Sequence, residues 1–104
     1  MSGWYMRAAN QGQPNAMHSL AGMYLNGRGV MKLPARGYAW LQLAARHYPR
    51  DAPQREAVLK LRDQIRMTLT PVGLQRAQAF LGSWTAKTEP SGGPSLEIRL
   101  VPHL

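Results

Sequence analysis

Three histidines (His18, His47 and His103) and five acidic residues are the side chains of this 104-residue chain best suited to move a proton or hold a metal. No histidine stands at a metal-ligand spacing with a carboxylate. Cysteine is absent, so neither a disulfide framework nor a thiolate metal site can form. His47 lies close to Asp51 in sequence and could be oriented by it as a base, but no serine is placed beside them as a nucleophile. His18 sits beside the apolar stripe of its helix, which is the place of a surface or half-buried structural histidine. No two carboxylates form an evident pair. Gly27-Arg28-Gly29 lacks the third glycine and the preceding strand of a dinucleotide loop, so it reads as a turn. These residue types assign no reaction. The chain reads as a non-enzyme with no cofactor and no metal.

Binding chemistry has more to work with. The formal net charge is +8 at pH 7, which suits an acidic partner: a protein, nucleic acid or an anionic membrane surface. The basic residues are spread from Arg7 to Arg99 without a dense run, the pattern of a solvated basic face. The tryptophans and tyrosines could stack on single-stranded nucleic acid. Trp4, Trp40 and Tyr24 instead recur at repeat positions, which places them in a core, with Met17, Met23 and Met67 as filler around them. No apolar run approaches the ~18 residues of a membrane span. Met1-Ser2-Gly3-Trp4 shows no signal peptide, so a complete chain would be cytoplasmic and a fragment could be exported.

Five helices must position these residues. The first spans about Gly3 to Gln11, with Gly12 offered as its left-handed end. The second puts Ala16, Leu20, Met23 and Tyr24 on one face and stops at Asn26-Gly27. The third opens at Leu33-Pro34, buries Trp40, Leu41, Leu43 and Ala44, and ends at Tyr48-Pro49. The fourth starts near Pro53 with Ala57, Val58, Leu61 and Ile65 inward. Its outer face carries Arg55, Arg62 and Arg66, with Glu56 and Lys60 placed for an ion pair. Thr70-Pro71 caps and opens the fifth, which aligns Leu74, Ala77, Leu81 and Trp84. Residues 86–104, with their Gly-, Pro- and Ser-rich stretch, read as a flexible tail. Leu96 to Leu100 alternates like a short strand that could add to a partner's sheet.

A period links these elements. Trp4, Ala8 and Ala9 return as Trp40, Ala44 and Ala45, an offset of 36 positions each time (4 to 40, 8 to 44, 9 to 45). A fixed period of this size marks a stacked repeat fold, in which each unit needs neighbours to bury its apolar face. Ala16, Leu20, Ala21, Tyr24, Gly27, Gly29 and Val30, together with Trp4, Tyr5, Arg7, Ala8 and Ala9, resemble the Sel1-like repeat family. That family, found in bacteria and eukaryotes, is related to the tetratricopeptide repeats.

The resemblance covers Trp4 to Ala45 well and Ala57 to Trp84 loosely. The departures lie in the second copy. Gly37 stands where the family has a small alanine and should loosen the helix by about 1 kcal/mol. Tyr48 replaces the glycine matching Gly12, Leu33 replaces an acidic residue, and Arg62 replaces a small one. The resemblance implies an all-α fold: an αα-hairpin repeat solenoid of about five helices over residues 1–85, ending in a C-terminal capping helix. It also implies an adaptor or scaffold that binds a protein or peptide, an acidic one among the candidates, on its concave face. By the period, Met6 with Gln42 and Asn10 with Arg46 line that wall, with Arg36 near the rim. The incomplete edge at Trp4 is a place for self-association. The alternative is a basic helical domain that binds nucleic acid through Arg55, Arg62 and Arg66.

Overall fold

Proline opens four of the five helices in the computed structural model, which describes residues 2–86. The elements are α1 (Ser2–Asn10), α2 (Pro14–Asn26), α3 (Pro34–His47), α4 (Pro53–Arg66) and α5 (Pro71–Ser83). Proline suits the first turn because its missing N–H would have no helical partner there. Thr70 completes the start of α5: its hydroxyl accepts the Gly73 N–H at 3.0 Å. At the other end of α2, Gly27 takes a left-handed conformation, φ 71°, that costs a glycine little. Its N–H and that of Arg28 both bond to the Met23 carbonyl. The expected segment 96–100 and nearly all of the expected tail lie outside the described residues.

The described part of the chain is all-α. Helix α3 is its centre, packing on α2, α4 and α5, while α1 packs mainly on α2. Tyr38, Ala39, Trp40, Leu41, Leu43, Ala44 and Ala45 are all buried, so α3 is apolar around most of its circumference, as a surrounded helix must be. Ala9, Ala16, Met17, Leu20, Ala21 and Tyr24 meet it from α1 and α2. A second, smaller cluster joins Tyr38 and Ala39 to Ala77 on α5.

Several expectations need correction. Trp4 is not core: it is 66 % exposed. Met67 is 87 % exposed, because it follows the last turn of α4, where no neighbour reaches. Ala57 is exposed as well. The inward seam of α4 keeps Val58, buried, and Leu61 and Ile65, half-buried, from the expected stripe, with half-buried Arg62 beside them instead of Ala57. Arg62 therefore points toward α3, not outward. Its Nη1 donates to Gln42 Oε1 at 2.9 Å, and it forms an ion pair with Asp63 at 3.0 Å. That pair, not Glu56–Lys60, is the ion pair among the described residues.

Gly37 also has a packing role: it lets α2 approach α3. A Cβ there would stand 2.7 Å from Cγ and Cδ2 of Leu25 and 3.2 Å from the Ala21 carbonyl oxygen. Tyr48 also has a use. Buried at the end of α3, it donates its hydroxyl to Asn15 Oδ1 at 2.7 Å and so ties α3 to the start of α2.

Candidate functional site

The five residues assigned to a binding wall meet different fates. Asn10, at the end of α1, accepts the Trp84 Nε1–H through Oδ1 at 3.0 Å. Gln42 is engaged by Arg62. Met6 is half-buried against the main core. Arg46 is exposed and has no polar partner among the described residues. Arg36 is half-buried, with its guanidinium carbon 4.4 Å from the Phe80 ring centroid and 5.9 Å from that of Tyr24. At those distances the aromatic faces attract the cation and hold it in place. The wall so drawn is thus partly internal: the side-chain oxygens of two of its members already accept bonds from the protein itself.

The polar contacts gather at one end of the odd-numbered helices. Trp84, just past α5, joins Asn10 of α1 by its hydrogen bond and lies edge-on to His47 of α3, centroids 5.4 Å apart. Nδ1 of His47 lies 2.9 Å from the Leu43 carbonyl of its own helix, so His47 serves its helix end and no Asp51 pair forms. Among the described residues no group of histidine and carboxylate side chains gathers that could hold a metal. Tyr48 is a buried phenol whose hydroxyl is pushed above its ordinary pKa of 10.0 by desolvation, so it stays neutral and bonded to Asn15.

A surface feature invisible in the spacing lies at the opposite end of α3. An open groove of about 480 Å³ runs between the starts of α3 and α5. Leu33, Leu69 and Val72 supply apolar wall, and Arg36 and Arg76 supply charge. Of the wall residues read from the sequence, only Arg36 lines it. The 36-residue period gives no mark of it: Val72 falls at the counterpart of Arg36, and Arg76 at that of Trp40. A shallower depression on the far side is lined by Trp4, Arg7, Ala8, Gln11 and Gln13.

The basic face assigned to α4 is reduced in the fold. Nε of Arg55 donates to the Ala45 carbonyl at 3.1 Å and Arg62 is turned to α3, which leaves Arg66 as the exposed member. No helix among the described residues is long and apolar enough to cross a membrane. No family model matches the chain, and no curated protein or solved structure does so either.

Proposed function

We propose that the chain is a protein–protein interaction module, an αα-repeat stack of the Sel1-like kind that binds a protein or peptide partner. The observation that carries this reading is Trp4. It occupies the repeat position of Trp40, yet it stands on the surface of α1, edge-on to Tyr5 at 5.0 Å. Single exposed apolar side chains are common and need no explanation. An exposed tryptophan on a helix that packs mainly on one neighbour is different, because a stacked unit requires a neighbour over that face. On this reading a partner protein covers the Trp4 edge, and a second copy of the chain is the simplest such partner. Arg46 is the wall residue free to meet a bound segment. Asn10 and Gln42 keep their amide N–H groups for such a segment, because among the described residues only their side-chain oxygens are engaged.

Sedimentation of the wild type and Trp4→Ser over a wide concentration range tests the edge. The expected result is association of the wild type that is lost in the variant. A wild type that stays monomeric, with a photo-crosslinker at position 4 that captures no protein, removes the reading. Nucleic-acid binding is the other reading; of its three arginines Arg66 is exposed, while Arg55 and Arg62 are half-buried and bonded within the protein. Binding that vanishes between low and physiological salt would then be a charge effect only.

A further inference from the structure

We propose that the groove between the starts of α3 and α5 binds an acidic segment of a partner protein, one that carries apolar side chains among its carboxylates. No residue of α1 lines this groove, so the proposal goes beyond the Trp4 edge and does not depend on it.

Charge complementarity argues for this occupant. Arg36 and Arg76 line the groove, and no aspartate or glutamate does. Neither arginine has a carboxylate at ion-pair distance among the described residues. Arg36 is also held in position. Contact with the Phe80 ring, 4.4 Å from the guanidinium carbon to the ring centroid, holds the head group without using its N–H donors, so less side-chain freedom is lost when a ligand arrives. A carboxylate can accept two parallel N–H bonds from such a fork.

The apolar part of the ligand follows from the wall. Val72 is 56 % exposed and Leu33 is 39 % exposed, and both border the groove. Covering them removes apolar surface from water. A volume of about 480 Å³ holds a few side chains, not a folded domain. A nucleic-acid strand fits less well. Its bases need aromatic platforms, and the groove lining contains no tyrosine, tryptophan or phenylalanine.

The test is selection of a phage-displayed random 12-residue peptide library on the full chain. Each enriched peptide is then measured by fluorescence anisotropy, with amide shift mapping to locate it. Enriched peptides should combine Asp or Glu with Leu, Ile, Val or Phe, and should move the amides of residues 33–36 and 68–77. Arg76→Glu should weaken them at least tenfold, and Val72→Ser severalfold with no change in salt dependence. Trp4→Ser and Arg66→Glu should leave affinity unchanged, which separates this groove from the Trp4 edge and from general charge attraction. The proposal is overturned if no peptide is enriched, or if the enriched set is neutral or basic. Unaltered binding to Arg76→Glu, or shifts centred on another face, would overturn it equally. A random-sequence single-stranded RNA that binds the same residues more tightly would assign the groove to nucleic acid instead.

Discussion

Trp4 and Trp40 stand 36 positions apart in matching sequence contexts and share almost nothing else. Trp40 is 1 % exposed, clasped edge-on by Phe80 at 5.4 Å and by Trp84 at 6.1 Å. Trp4 is solvent-facing with a sequence neighbour as its ring partner. The residues 36 positions before Phe80 and Trp84 are Ala44 and Tyr48. Helix α3 thus offers a methyl group where α5 offers a ring, and Tyr48 is committed to Asn15 instead. The lesson is that two residues in matching sequence contexts are buried differently when the side chains packed on them differ.

Substitution of the two tryptophans is the sharpest way to break this comparison. Trp40→Ala should cost about 3–5 kcal/mol, as removal of a fully packed aromatic does. Trp4→Ala should stay within about 0.5 kcal/mol in the monomer. Equal losses in urea titrations would show that the edge is as well packed as the centre. Trp40→Phe refines the point. Trp40 Nε1 is buried without a hydrogen-bond acceptor among the described residues, an arrangement that costs about 1–3 kcal/mol. Phenylalanine removes that orphan donor, so it should be much milder than alanine.

Gly37→Ala probes the α2–α3 approach that surrounds Trp40. Overpacking against Leu25 should cost about 1–3 kcal/mol, against about 1 kcal/mol regained in helix propensity. A net loss of stability is expected. A rise in the urea midpoint would mean the helices can part freely. Asn10→Ala comes next. It strips the acceptor from Trp84 Nε1, the tie between the α1 end and the α5 end, for about 1 kcal/mol. Trp84 emission should shift to the red, while the Trp4 contribution stays constant.

The smallest effect is in pH. Burial raises the Tyr48 pKa, so the fold favours the neutral phenol. Its contribution is present below the unfolded value near 10.0 and is lost as pH rises through the higher folded value. Stability should therefore fall above pH 10 in the wild type and fall less in Tyr48→Phe. An identical decline in both would remove Tyr48 as the cause.

Helix ends were the most legible feature, because the signals are local. Pro34, Pro53 and Thr70-Pro71 start helices where expected, and Gly27 and Tyr48 end them. The central stripe of α3 was equally clear, since Trp40, Leu41, Leu43 and Ala44 leave few polar positions on that helix. The α4 stripe was misplaced at Ala57 because alanine is neutral to either face, and only contact with α3 chooses. Arg62 was read as outward from its charge alone. Its aliphatic stem lets it lie in the seam while its head reaches Gln42 and Asp63. The groove escaped notice because residues 33–36 and 68–77 are distant in the chain and are unremarkable one at a time.

Helix identity and helix direction toward the core follow from proline, glycine and threonine at the ends and from apolar period between them, all within a few residues of each other. Depth of burial does not. It depends on how many neighbours a helix acquires: α3 has three, whereas α1 leans mainly on one. That count, set by packing across the whole chain, is what sends one tryptophan of a matched pair to the core and leaves the other facing water.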